Sequence, residues 1–355
     1  MEDTTPRRGF LRSAAGMAAA AQAISAAPRP LDEKEKLGRL ATNCWPVRML
    51  FKSRPSPRGT SPQVAEMRKK YGEITMLDFP QWTRDQFPGI THMDLWSSVF
   101  GDVTNDAMYA TQTMTLPNGQ TRTAYEFDPS TAAGKKWLGQ LANNMAKLGI
   151  KCQHVSNNAP RNISDLDEAK RREGIEVAKK WLEGSAMLGA KTMRVNTGGP
   201  RIAPEASATG SYPKNDEIVK YLDKCIESFK EMAEFGAKVG VIVTIENHWG
   251  LSANPMNVRI VLDSVNHPFC EATPDFCNWE HEYMLYHGLS ALAPYTHHTV
   301  HAKYWNRWKE VDLQRCTRIM AAAGFRGIFA LEYEDGPWDG VEGMRLLQKE
   351  VMAAL

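Results

Sequence analysis

From about residue 72 to the C-terminus, short β-branched runs alternate with amphipathic stretches of helical period, and this alternation limits the fold more than any other feature of the chain. Strands are expected at Ile74–Phe79, Thr91–Trp96, Lys151–Val155, Thr192–Asn196, Val241–Glu246, Phe269–Asp275, Thr299–Lys303 and Gly327–Glu332. Val241–Glu246 is almost continuously apolar, as a parallel strand buried on both faces should be. Between most of these runs lie helical patterns, such as Trp137, Leu141, Met145 and Leu148 on one face. Regular alternation implies a parallel sheet with helices outside it. Eight such units in about 280 residues match a single-domain (β/α)8 TIM barrel. An open doubly wound sheet is the alternative, but the first strand lacks the Gly-rich phosphate turn that often marks one. Ser97–Thr131 is polar, carries the Asn118-Gly119 turn signal, and reads as a large loop or lid.

Outside the barrel, assigned to residues 72–355, two segments are expected. Residues 1–27 resemble a twin-arginine export signal. Arg7-Arg8-Gly9-Phe10-Leu11 precedes a mildly apolar stretch, Ala14–Ala27, and Ala21-Gln22-Ala23 fits a cleavage site. Residues 28–71 form an N-terminal extension. The expected location is periplasmic or secreted. The six cysteines show no CxxC pair, which argues against a zinc ribbon or a dense disulfide framework.

Forty-three Lys and Arg against 41 Asp and Glu give a net charge of +2, which leaves no electrostatic footprint for nucleic acid. No apolar run approaches the roughly 20 residues of a membrane span. The partner expected is a small molecule, without nucleic acid or an integral membrane segment; a homo-oligomer is left open.

In a barrel of this kind, chemistry belongs at the C-terminal ends of the strands. Glu246, Asp275, His301 and Glu332 close four successive apolar runs, in VTIENHWG, ATPDFCNW, HTVHAKYW and FALEYEDG. Three carboxylates at such depth repel one another unless a cation holds them together. The oxygen-rich, one-nitrogen set suits a single divalent ion: Mn²⁺, Mg²⁺ or Co²⁺ first, with Zn²⁺ admissible. A cation of this kind polarises a bound carbonyl, acidifies the neighbouring C–H and stabilises the enediolate. Return of the proton to the other face gives an epimer. Return at the adjacent carbon gives an isomer, and loss of a β-leaving group gives elimination. His154 and His248 point to the same face as extra base or substrate ligand. Lys303, two residues past His301, shares its side of the strand.

With VTIENH and VHAKYW, these four strand ends resemble the sugar phosphate isomerase/epimerase superfamily, the xylose-isomerase-like barrels, over roughly residues 72–350. The resemblance implies that Glu246, Asp275, His301 and Glu332 bind one metal and that Glu246 and Glu332 also move protons. Many such epimerases carry a histidine three residues after the aspartate, where this chain has Asn278. Lys303 and then Arg307 follow the metal histidine where an early arginine is common.

Catalytic roles are therefore expected for Glu246, Glu332 and His154, and substrate contacts for His248, Asn278, Lys303, Trp249 and Trp305. Six of the ten tryptophans follow strand ends (Trp82, Trp96, Trp249, Trp279, Trp305 and Trp338), which suggests stacking on sugar or aglycone faces. The acidic run after the last strand, Glu332, Glu334, Asp335 and Asp339, disfavours a phosphate. The expected function is a metal-dependent isomerase or epimerase of a non-phosphorylated sugar or keto-sugar. A lyase or hydratase of 3-keto-glycosides is the alternative on the same site. A non-catalytic sugar-binding barrel is the alternative of another class. A nuclease would call for more histidines at strand ends and a basic face.

Overall fold

The computed structural model describes residues 29–55, 59–115, 121–200, 215–309 and 311–355. The segment expected to be an export signal, with its arginines, and the expected Asn118-Gly119 turn lie outside the described residues. Two units divide the chain, Met1–Asp32 and Glu33–Leu355. The second contains every strand and helix discussed below.

The strands are β1 (Leu40–Asn43), β2 (His92–Trp96), β3 (Tyr109–Thr115), β4 (Thr121–Phe127), β5 (Lys151–Ser156), β6 (Thr192–Arg194), β7 (Ile242–Ile245), β8 (Cys270–Ala272), β9 (Thr299–Trp305) and β10 (Ile328–Asp335). Eight form one parallel sheet in the order β8-β7-β6-β5-β2-β1-β10-β9. Its two edge strands meet in an isolated parallel bridge, Asp275 with His301. There Phe276 N–H donates to the His301 carbonyl at 3.1 Å and His301 N–H donates to the Pro274 carbonyl at 3.0 Å. The curled sheet is thus joined at two of the expected metal ligands.

The helices are α1 (Glu33–Leu37), α2 (Pro62–Tyr71), α3 (Phe79–Gln86), α4 (Ala132–Lys147), α5 (Glu168–Met187), α6 (Asn215–Val239), α7 (Pro255–Val265), α8 (Met284–Leu292), α9 (Leu313–Ala322) and α10 (Gly340–Ala354). Their starts follow from the sequence. Thr131 accepts from Gly134 N–H to cap α4, Asn254 caps α7 ahead of Pro255, and Asp339 accepts from Val341 and Glu342 N–H to cap α10. The α4 stripe Trp137, Leu138, Leu141 and Met145 is buried.

Two expectations are corrected. The first strand of the sheet is Leu40–Asn43, inside the stretch read as an extension, and it pairs with both β2 and β10. Ile74–Phe79 is not a strand of the sheet. Ile74 makes only a bridge to Phe51, and Thr75–Asp78 fold into a turn. Asp78 accepts from both the N–H and the hydroxyl of Thr75, at 2.9 and 2.7 Å, and α3 begins at the next residue. Local side-chain bonds of this kind offer the backbone an alternative to a ladder.

The stretch read as a loop or lid contains an antiparallel hairpin, β3 with β4. Phe127 at its end packs against Phe100, Trp137 and Trp181, with ring centroids 5.2–5.8 Å apart. The hairpin is therefore anchored in the core. Phe127→Ala should cost about 3–5 kcal/mol, the range for deleting a buried aromatic ring. Denaturant unfolding of both proteins checks this, and a loss below about 1 kcal/mol would mean that the hairpin does not depend on this anchor.

Candidate active site

The sheet brings Glu246, Asp275, His301 and Glu332 together: the first two lie just past β7 and β8, and the last two lie within β9 and β10. Ligand atoms of Glu246, Asp275 and His301 all lie within 4.8 Å of one another, and all three residues are buried. His301 Nδ1 stands 3.4 Å from Glu246 Oε2, 3.9 Å from Asp275 Oδ2 and 3.3 Å from Glu332 Oε2. That nitrogen is buried and has no hydrogen-bond partner among the described residues. The other ring nitrogen, Nε2, is 2.9 Å from Asp94 Oδ2. A proton held on Nε2 by Asp94 leaves the Nδ1 lone pair facing three carboxylates, which is the arrangement of a carboxylate–histidine–metal site. Bonds of about 2.0–2.3 Å place neighbouring donors roughly 3–4 Å apart, as these atoms are. The residues therefore fit a divalent cation.

Each ligand is braced. Asn247 holds the Asp275 backbone from both sides, accepting from its N–H at 2.7 Å and donating to its carbonyl at 3.0 Å. Asp275 Oδ1 accepts from Cys277 and Asn278 N–H at 2.6 and 2.8 Å. The Asn278 amide donates to Glu246 Oε1 at 2.8 Å and to Asp275 Oδ2 at 3.1 Å. Lys303 Nζ contacts Glu332 Oε1 at 2.9 Å, Glu334 Oε2 at 3.2 Å and Asp275 Oδ2 at 3.3 Å, and donates to Asn278 Oδ1 at 3.1 Å. Arg194 Nη1 pairs with Glu246 Oε2. Asn43 and Ser156 donate to the two oxygens of Asp94, at 2.9 and 2.8 Å.

Burial and charge set the protonation states. Burial alone would strip Lys303 of its proton, but Asp275, Glu332 and Glu334 more than offset it and raise its pKa well above the ordinary value. Burial opposes ionisation of Glu246, yet Arg194 and His301 hold it well below the carboxylate range. Asp275 goes the other way. Burial pushes it up despite Lys303, and with Glu332 and Glu246 as neighbours it reaches about 7.

A cavity of about 450 Å³ opens above the cluster. All five residues expected to touch substrate, His248, Asn278, Lys303, Trp249 and Trp305, are among its walls, as is Glu332. His154 is not. It is fully buried on β5, its Nδ1 lies 2.7 Å from Thr192 Oγ1, and its ring meets that of His301 edge-on at 5.4 Å. Burial, the largest effect, lowers its pKa to about 3. A second compact group, Asp94, His154 and His301, lies on the Nε2 side of His301. Of the six strand-end tryptophans, Trp96, Trp249 and Trp305 line the cavity, whereas Trp82 and Trp279 are core residues. All six cysteines are free.

Sequence reasoning missed Asp94, Arg194, Asn43, Ser156, Trp45 and Arg161. Two had a readable signal: Asp94 and Arg194 are charges inside otherwise apolar β runs. Asn43 and Trp45 went unseen because their strand did.

Residues 113–350 match the family described as xylose isomerase-like TIM barrel, and the chain belongs to that family. Its fold is similar to D-allulose 3-epimerase from Methylomonas sp. (TM-score 0.57, 12% identity, 90% of this chain and 99% of that one). It is also similar to a xylose isomerase-like TIM barrel protein from Mycobacterium smegmatis in complex with magnesium (0.56, 14%, 90% and 99%). An L-ribulose 3-epimerase is a third such structure (0.54, 13%, 89% and 92%). At these identities the likeness is one of fold. No curated protein matches the chain.

Metal uptake should release protons. Asp275 binds a proton below about pH 7 in the cation-free protein, and His301, held protonated by Glu246 and Asp94 against its burial, must also give one up. Affinity for Mn²⁺ should therefore rise with pH by about a hundredfold per unit well below 7, where both protons are displaced per ion, and by about tenfold per unit just above 7, where His301 alone gives one up. Calorimetry in buffers of different ionisation enthalpy counts the protons. Affinity unchanged between pH 5.5 and 7.5 would contradict this assignment.

Proposed function

We propose that this protein is a divalent-metal-dependent isomerase or epimerase of a non-phosphorylated sugar or keto-sugar. The observation that carries this reading is the unpartnered His301 Nδ1 facing Glu246, Asp275 and Glu332 beneath a tryptophan-lined cavity. The L-ribulose and D-allulose 3-epimerases among the structures of similar fold support it. A divalent ion held there would supply Lewis-acid polarisation of a substrate carbonyl.

The chain's own residues divide the remaining work. Of the three carboxylates, Glu332 is the one that lines the cavity, so it is assigned the proton on the substrate side. Lys303, charged and 2.9 Å from Glu332 Oε1, stabilises negative charge developing on a substrate oxygen. Glu246, paired with Arg194, is the second proton-moving group once substrate displaces that pair. Asn278 spans Glu246 and Asp275 and sets their separation. Trp249 and Trp305 offer flat apolar faces to C–H surfaces, and His248 contacts substrate hydroxyls. His154, walled off from the cavity, supports the site. The twin-arginine pattern at Arg7 and Arg8 supports a periplasmic or secreted location for the working protein.

Elimination from a 3-keto-glycoside is the second reading. It draws on Asn278, whose amide is engaged with Glu246 and Asp275 where a histidine would be free to act as an acid. Incubation of the Mn²⁺-loaded protein with keto-sugars and keto-glycosides in D₂O, read by NMR, separates the two. Deuterium at one carbon with the skeleton intact marks epimerisation or isomerisation, and release of an aglycone marks elimination. Neither outcome with any substrate, on protein shown to hold metal, would reject both. Arg161 and Arg307 at the cavity wall make phosphorylated sugars the necessary control; faster turnover of these would overturn the neutral-sugar assignment.

Two variants separate metal binding from proton transfer. Asp275→Asn should bind metal more weakly and recover part of its activity as metal is raised. Glu332→Gln, which loses a ligand oxygen's charge as well as the proton-moving group, should bind metal more weakly too, but its turnover should stay about 10²–10⁴-fold down, the scale of a positioned acid or base, even when raised metal restores full occupancy. Deuterium exchange that survives in Glu332→Gln would return that residue to a ligand role alone.

A further inference from the structure

A second cavity, of about 710 Å³, adjoins the first and shares two wall residues with it, Trp305 and Glu334. Its other side is formed by Arg48, Met49 and Met67, ahead of and on α2, and by the segment that joins β10 to α10. That segment presents Trp338, whose side chain lies against the cavity while the residue is 52% exposed. The backbone that carries Trp338 is held in place from several directions, beginning with its own main-chain N–H. That N–H donates at 3.0 Å to the hydroxyl of Tyr333, which is buried and stacked on Tyr304 at 5.6 Å. The next residue, Asp339, caps α10 and accepts from Lys70 and Tyr71 at 2.7 and 2.9 Å. At Gly340 a Cβ would collide with the Pro46 carbonyl, so the backbone there is pressed against the chain after β1. The support is rigid and the indole is open.

We propose that this cavity is a second subsite, holding a neutral ring joined by a glycosidic bond to the ring at the cation site. This inference rests on the reading of the first cavity as a sugar site. It makes the natural substrate a glycoside or disaccharide. The chemistry on the walls fits a ring with apolar faces and hydroxyl edges. Trp338 and Trp305 supply the faces, Glu334 and Asp335 accept from hydroxyls, and Arg48 donates to them. Lys70 is committed to Asp339 and Glu342, so the remaining acidic side chains disfavour an anionic group.

The test is equilibrium binding to the Mn²⁺-loaded full chain, which needs no turnover. Methyl β-glucoside, cellobiose, maltose and phenyl β-glucoside are compared on the wild type, Trp338→Ala and Trp338→Phe. The expected result is that at least one two-ring ligand binds about tenfold more tightly than methyl glucoside. Trp338→Ala should remove most of that advantage while changing methyl glucoside binding less than about twofold, and Trp338→Phe should keep part of it. Preference for a disaccharide identifies a sugar in the subsite, and preference for the phenyl glycoside identifies a flat aglycone. Equal affinities across the four ligands, or an advantage untouched by Trp338→Ala, would overturn the subsite. A chain that keeps the two-ring preference yet holds no metal would overturn the catalytic reading and leave the subsite standing.

Discussion

Four buried carboxylates, Asp94, Glu246, Asp275 and Glu332, face two buried cations, Arg194 and Lys303, at the C-terminal end of the sheet. The difference is two negative charges, and no structure can bury that uncompensated. Protonation of His301 and Asp275 answers it in the cation-free protein. A divalent ion answers it fully, with His301 neutral and all four carboxylates ionised. The pKa directions follow from this competition: burial, and after it the neighbouring Glu332 and Glu246, raise Asp275 despite Lys303, while Glu246, backed by Arg194, falls.

The same residues join the sheet into a ring. Asp275 and His301 form the bridge between its edge strands, so ligand positions and barrel closure are fixed by one set of backbone bonds. Asn247 on the strand before, and the N–H groups of Cys277 and Asn278 after it, tie Asp275 down further. A site so braced is set to within the tolerance that metal and proton transfer need. Disturbing a ligand should therefore be felt in stability as well as in chemistry.

Much of this was legible in the chain. Most of the later strands carry apolar or β-branched runs long enough to announce themselves; Glu246 and Asp275 follow β7 and β8, and His301 and Glu332 lie within β9 and β10. The polar wall residues Lys303, Asn278 and His248 stood beside them in sequence and stand beside them in space. The opening strand was not legible. Leu40–Asn43 is four residues with one branched aliphatic side chain, and its place is fixed by pairing with β2 and β10, which no local pattern reports. The more β-like Ile74–Phe79 lost to the Asp78 turn. His154 shows another limit, since period 2 gives the face of a strand but not the depth at which a side chain is covered.

The central claim is that His301 Nδ1, with Glu246, Asp275 and Glu332, holds one divalent ion. Pulsed electron paramagnetic resonance of the Mn²⁺-loaded protein tests it most directly, because a directly bonded imidazole nitrogen couples to the manganese spin. One ¹⁴N coupling is predicted in the wild type, absent in His301→Gln and retained in His154→Ala. A manganese signal without nitrogen coupling, or a coupling lost with His154 and kept without His301, would contradict the account.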